Sequence, residues 1–173
     1  MMRSRLTSIA ACIALFVSTT AQAAPAKPCI NPEEIRGFVG YVMPDVADNV
    51  VKKCGPTLRP DGYFNTHGSQ LVARLAVGKE AAWPMALAAF RKFGGDFKGS
   101  PKSDLSERTL RSLLDNEMVT KLTRDIPLSM CRDGEAIVAP LDPLPAENLV
   151  QFLSAILGVA GRTEGDMRSC PPQ

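Results

Sequence analysis

Residues 145–160 read P-A-E-N-L-V-Q-F-L-S-A-I-L-G-V-A, and this stretch sets the class of the fold. Pro145 suits the first turn of a helix, and Glu147 favours its positive end. Leu149, Val150, Phe152, Leu153, Ala155, Ile156 and Leu157 follow, with only Gln151 and Ser154 as polar interruptions. On a helix these side chains cover most of the circumference, which predicts an element packed from several sides. The run is shorter than the roughly 20 apolar residues a bilayer crossing requires. A central core helix is expected here, with an apolar ligand or partner surface as the alternative.

Working outward, the other helix signals have the same character. Asn31-Pro32-Glu33-Glu34 offers a capping side chain, a first-turn proline and two carboxylates for the helix dipole. Ile35, Phe38, Val39 and Val42 follow at helical spacing. Gly37 and Gly40 between them allow another helix to come close, at some cost in propensity. Met43-Pro44 predicts a break, because the residue before proline is pushed away from helical geometry. Asp45 then caps a second helix through Val46, Val50 and Val51, stopped by Lys52-Lys53-Cys54-Gly55. Residues 55–68 hold prolines, glycines and the single histidine, and are expected as a loop.

Helix resumes near Ser69 with Leu71, Val72, Leu75 and Ala76, and Gly78 ends or bends it. A further helix carries Trp83, Leu87, Phe90 and Phe93, with Pro84 as an alternative start. Residues 94–103 form an exposed connection. Ser103 is expected to cap the clearest amphipathic helix, whose buried stripe is Leu110, Leu113, Leu114, Met118 and Leu122. Pro127 stops it. Residues 125–144 are irregular, with a short strand at Ala136-Ile137-Val138-Ala139. The expected fold is therefore all-α: a small single-domain bundle of five or six helices over residues 24–173, stapled by two disulfides.

Residues 1–23 stand apart. Arg3 and Arg5 precede an apolar run, and Ala21-Gln22-Ala23 supplies small residues at a cleavage site, the order of a secretory signal. Ile9-Ala10-Ala11-Cys12 has the look of a lipoprotein processing box, but the strongest apolar run follows the cysteine instead of preceding it. The chain has 20 basic and 18 acidic residues, so losing Arg3 and Arg5 leaves eighteen of each. A neutral chain with no dense basic run does not suit nucleic acid or an anionic membrane surface. No membrane span is expected in the mature chain, which the signal places in the periplasm or outside the cell.

Cys29, Cys54, Cys131 and Cys170 remain after residue 23. An even set in an exported chain predicts two disulfides, with three connectivities open. A fold-back at Pro44 would join Cys29 to Cys54 and leave Cys131 for Cys170, loops worth roughly 3–4 kcal/mol each by the chain-entropy model. No Cys-x-x-Cys pair or neighbouring histidine suggests a metal site or redox chemistry.

Candidate chemistry is sparse. His67 lies in the 55–68 loop beside Gly68 and Ser69, downstream of Asp61 and Tyr63, where a general base would be placed. Loop pinning accounts for it equally well. Glu33 with Glu34, and Asp45 with Asp48, are carboxylate pairs explained by helix starts. Asp61 to Asn65 has too few oxygen ligands for a calcium loop. Neither a phosphate loop, a dinucleotide fingerprint nor a nucleophile elbow occurs. Phe38, Tyr41, Tyr63, Phe64, Trp83, Phe90, Phe93, Phe97 and Phe152 would form a core or, partly open, line an apolar cleft. The expectation is a non-enzymatic exported protein that binds a partner protein or an apolar small molecule and needs no cofactor or metal. The alternative is a cell-envelope hydrolase using His67 or a helix-borne carboxylate.

Overall fold

The computed structural model describes residues 29–92, 104–163 and 169–170. The expected signal segment, the 94–103 connection with its Ser103 cap, and Phe93 and Phe97 lie outside the described residues.

The organising element is α1, Pro32–Cys54, a single helix of 23 residues. Its start is a capping box: Asn31 Oδ1 accepts from Glu34 N at 2.8 Å, and Glu34 Oε2 accepts from Asn31 N at 2.9 Å. The expected break at Pro44 does not occur. An internal proline costs about 3 kcal/mol, whereas Ile35, Phe38, Val39 and Val42 are all buried, at roughly 1.5–3 kcal/mol each. Packing on several sides outweighs the local defect, and Pro44 is itself buried.

One unbroken helix overturns the expected disulfides. At about 1.5 Å per residue its ends lie about 34 Å apart, so Cys29 cannot reach Cys54. The pairs are Cys29–Cys170 and Cys54–Cys131, with Cα separations of 5.0 and 5.3 Å. The first ties the start of α1 to the chain's tail, where Cys170 N also donates to Ile30 O at 2.9 Å. The second ties the end of α1 to the first residue of a later helix.

The remaining helices surround α1. They are α2 (Tyr63–Thr66), α3 (Gly68–Ala76), α4 (Lys79–Lys92), α5 (Glu107–Ser112), α6 (Val119–Arg124), α7 (Cys131–Val138) and α8 (Ala146–Thr163). A π-helical stretch, Leu113–Met118, joins α5 to α6 as one rod, capped by Ser106, whose Oγ accepts from Thr109 N. The described residues thus form an all-α fold with seven helical units. Short α2 and α7 occupy parts of the stretches expected as loops. The expected strand at Ala136–Ala139 lies at the end of α7, since an apolar run of four residues does not discriminate strand from helix.

α1 packs against α4, α3, α8 and α6. The α1–α4 contact depends on small side chains: a Cβ built on Gly37 would stand 2.2 Å from Met85 Cβ, and one on Gly40 3.3 Å from Ala82 Cβ. Ala86 and Ala89 on α4 are fully buried. Around this seam Phe38, Tyr41, Trp83, Phe90, Leu110, Leu114 and Val119 complete the main core.

The expectation of a central core helix at residues 145–160 is corrected. α8 lies on the outside: Leu149 and Ser154 are buried, but Phe152, Ile156 and Val159 are 50, 48 and 56 % exposed. Apolar residues round a helix show what needs cover, not that cover is present.

Two outcomes follow for stability. Gly37→Ala gains about 1 kcal/mol of helix propensity but forces the α1–α4 seam apart, and overpacking costs about 1–3 kcal/mol. Urea unfolding should show net loss of about 1–2 kcal/mol. Gly134→Ala, where an added Cβ meets nothing within 4 Å inside α7, should instead stabilise by roughly 0.5–1 kcal/mol. Stabilisation by both substitutions would contradict the close seam. A non-reducing peptide map should yield Cys29–Cys170 and Cys54–Cys131 fragments; Cys29–Cys54 would refute a straight α1.

Candidate functional site

A cleft of ≈ 650 Å³ opens between α1, the α3–α4 turn and the start of α8. One face of α1 supplies Glu33, Arg36, Gly37 and Gly40, spaced so that all four point the same way. Opposite them stand Leu75, Val77 and Gly78 at the turn, with Ala81, Ala82 and Met85 on α4. Pro145, Ala146, Glu147 and Val150 close the third side. Gly37 and Gly40 line it where α4 closes over α1: a Cβ on the first would meet Met85 and on the second Ala82 and Val150. Val77 is 88 % exposed and Met85 45 %, so the walls offer hydrocarbon to solvent.

Charge sits at the rim. Arg74 is held in place: its Nη1 donates to Asp142 O at 2.8 Å and its Nη2 pairs with the Asp142 carboxylate. Tyr63 OH donates to the same carboxylate oxygen at 2.6 Å. That phenol hydrogen bond, and then the Arg74 guanidinium, hold the Asp142 carboxyl below the usual carboxylate range. Burial pushes the Tyr63 phenol up to about 12, helped by the hydrogen bond to Asp142 and that residue's negative charge. Across the cleft Arg36 has no ion-pair partner among the described residues. A second cleft of ≈ 340 Å³ shares Glu33 and Arg36 and continues along α1 and α8 to Arg162 and Ser169.

His67 is placed elsewhere. It links α2 to α3, and its ring stacks on Tyr63 with centroids 5.4 Å apart and planes 3° from parallel. Its Nδ1 shares a hydrogen bond with Thr66 Oγ1 at 2.8 Å. Ser69 is exposed, and no hydrogen bond joins it to His67 among the described residues. Neither of these two clefts is lined by His67.

Three of the helix-borne carboxylates are engaged in ion pairs: Glu34 with Lys92, Asp45 with Lys79, Asp48 with Lys52. Asp61 pairs with Arg59. Two other helix-borne carboxylates, Glu33 and Glu147, line the larger cleft. Among the described residues no cluster of three or more His, Cys, Asp or Glu side chains is placed to hold a metal, and no helix is long and apolar enough to cross a membrane. Cys29, Cys54, Cys131 and Cys170 are all in disulfides.

The aromatics divide differently from expectation. Phe38, Tyr41, Phe64, Trp83 and Phe90 are buried, and none lines the larger cleft. Trp83 Nε1 donates to Glu107, and Arg111 lies 4.3 Å over the Trp83 ring. Tyr41 OH donates to Asp115 at 2.9 Å, and Lys79 bridges Asp45 and Asp115. These contacts lock α1 to α4 and the α5–α6 rod. The sequence marks Gly37 and Gly40 only as a close approach of another helix, not as a cleft, and Ala81-Ala82 carries no signal of its own.

No family model, curated protein or solved structure matches this chain.

The two tyrosines allow a direct check of this geometry. Burial and Asp115 raise the Tyr41 phenol well above its usual value, and Tyr63 is raised to about 12. A phenol whose pKa is higher folded than unfolded stabilises the fold below the unfolded value, and that contribution is lost as pH rises through the folded value. Stability should therefore fall between pH 10 and about 12. Ultraviolet titration of the folded protein should show little tyrosinate at pH 10, the ordinary value for a tyrosine phenol. Asp142→Asn should bring one phenol back towards that value; an unchanged titration would break the Tyr63–Asp142 assignment.

Proposed function

We propose that this is an exported, disulfide-stapled binding protein whose α1–α3–α4–α8 cleft takes an apolar or amphipathic small molecule. The observation that carries the reading is the cleft itself. Small-molecule sites are concave and mostly apolar, typically about 300–1,000 Å³, with a few polar groups at fixed positions. This one has an aliphatic lining and a guanidinium, Arg74, immobilised by Asp142 and Tyr63. Arg36, on α1, also lines it, suited to a polar or anionic end of the ligand. Two disulfides and a signal-like leader support a periplasmic or secreted location, since disulfides persist in oxidising compartments. The alternative of a hydrolase has less support, because His67 is engaged with Tyr63 and Thr66 and lies outside the described clefts.

The test uses anilinonaphthalenesulfonate, an apolar probe with an anionic end. The wild-type protein should bind it saturably with enhanced fluorescence. Ala81→Trp, at an exposed position on the cleft wall, should weaken binding at least about tenfold, or ~1.4 kcal/mol, without lowering the melting temperature. Native mass spectrometry of protein purified from the exported fraction should show a bound species lost on denaturation. Equal probe affinity in Ala81→Trp, or no binding at all, would sink the proposal.

A further inference from the structure

The two clefts between α1 and α8 adjoin. Glu33 and Arg36 line both, and on α8 the lining passes from Glu147 and Val150 to Gln151, Gly158 and Arg162. A Cβ on Gly40 would lie 3.6 Å from Val150, and one on Gly158 3.7 Å from Ile35, so the two helices run antiparallel. From Glu147 to Arg162 the joined groove follows α8 for about 22 Å, at a rise of about 1.5 Å per residue.

Its two halves differ in character. The larger has aliphatic walls, and its own guanidinium, Arg74, is already paired with Asp142. Glu147 lies there without an ion pair among the described residues and disfavours an anion. The smaller half sets two guanidiniums, Arg36 and Arg162, against one carboxylate, Glu33. Both arginines are exposed, and neither has an ion-pair partner among the described residues. The hydroxyls beside them are engaged: Ser154 donates to Val150 O at 2.6 Å and Ser169 to Gly158 O at 2.7 Å. Positive charge therefore gathers at one end of the groove and hydrocarbon at the other.

We propose that the ligand is a single-chain amphiphile with an anionic oxygen head group, a carboxylate or a phosphate. Its tail lies in the larger cleft, and Arg36 and Arg162 hold its head in the smaller one. This assignment rests on the binding role proposed above and names the ligand's class and direction. Half the hydrocarbon core of a bilayer is about 15 Å deep, so one lipid tail with its head group matches the groove in length. An extended peptide suits it less. Helices satisfy their own backbone groups, so a strand laid here finds no sheet edge to pair with and buries amides without partners. Hydrocarbon needs no such partners, and a charged head gains charge-assisted hydrogen bonds from guanidinium.

Calorimetric titration of the full mature chain with decanoate, decyl phosphate, decanol and butyrate provides the test. At least one of the two long-chain anions should bind about tenfold tighter than decanol, which lacks the charge, and than butyrate, which lacks the tail. A preference between decanoate and decyl phosphate then separates a fatty acid from a phospholipid fragment as the source. Arg162→Gln, at an exposed position outside the larger cleft, should weaken the favoured anion by about tenfold and decanol by less than about twofold. Arg162→Lys, which keeps the charge but not the planar fork, should fall between them. Added salt should weaken the anion and leave decanol unchanged. Anion binding untouched by Arg162→Gln, or decanol as tight as both anions, would overturn the head-group assignment. If Ala81→Trp still removes naphthalenesulfonate binding in that case, the cleft reading stands without it. A wild-type protein that binds none of these probes would overturn both.

Discussion

Everything in this molecule depends on how closely α4 can approach α1. At Gly37 the distance is so short that a methyl group would overlap Met85. Two helices in such contact bury the backbone itself along with the side chains beside it. The seam is lined by Gly37, Gly40, Ala82, Ala86 and Ala89, none of which loses side-chain entropy on burial. The large residues, Phe38, Tyr41, Trp83 and Phe90, are displaced to its margins, where they meet Leu110, Leu114 and Val119 from the α5–α6 rod. Each helix of the pair carries an internal proline, Pro44 or Pro84. Both helices continue regardless, because the packing energy along a buried helix exceeds the loss of one hydrogen bond.

The periphery is held by interactions of a different kind. The disulfides act at the two ends of α1, and closing loops of 141 and 77 residues constrains the unfolded chain more than the short loops expected from sequence. Between them, polar clamps fix the angles at which helices meet α1. Lys92 reaches the buried carboxylate of Glu34, the group that also completes the capping box. Lys79 sits between Asp45 and Asp115 with the Tyr41 ring 4.9 Å away. Glu135 of α7 accepts from Phe64 N at the start of α2, satisfying a donor that a four-residue helix leaves open. Short helices in the predicted loop regions are thus held by groups far away in sequence.

That distance explains what sequence could and could not reveal. The helical class, the Asn31 cap, the amphipathic stripe of Leu110, Leu113 and Leu114, and the close approach permitted by Gly37 and Gly40 are all local signals. They were legible because capping and periodicity act within a few residues. The continuity of α1 through Pro44 was not, since it depends on four neighbouring helices that local pattern does not contain. The disulfide pairing failed for the same reason: it was inferred from a fold-back that never forms. For α8, composition correctly showed a large apolar perimeter but not which side meets α1. The site was legible only in fragments. Aromatic residues suggested an open cleft, yet the cleft is lined by Gly37, Gly40, Ala81, Ala82, Val77 and Met85, whose small or aliphatic side chains carry no chemical signature.

The same pair of glycines lies in the tight seam and along the edge of the open cleft. Gly40 stands where α1, α4 and α8 converge: a Cβ there would lie 3.3 Å from Ala82 and 3.6 Å from Val150. Where α4 runs against α1, the missing side chains allow contact. Towards Val77 and Pro145, at the α3–α4 turn and the start of α8, the cleft opens beside this seam. A ligand in that volume would lie on backbone and methyl groups belonging to the most constrained part of the molecule, with one guanidinium already oriented by Asp142. A site of this kind needs little reorganisation on binding, so more of the gross contact energy appears as affinity. Specificity then rests on shape and on the rim, because an aliphatic floor distinguishes ligands differing by a methylene only weakly. Under the proposed binding role, Glu33, Arg36, Arg74 and Glu147 are the charged cleft positions at which selectivity for one polar end group over another would be set.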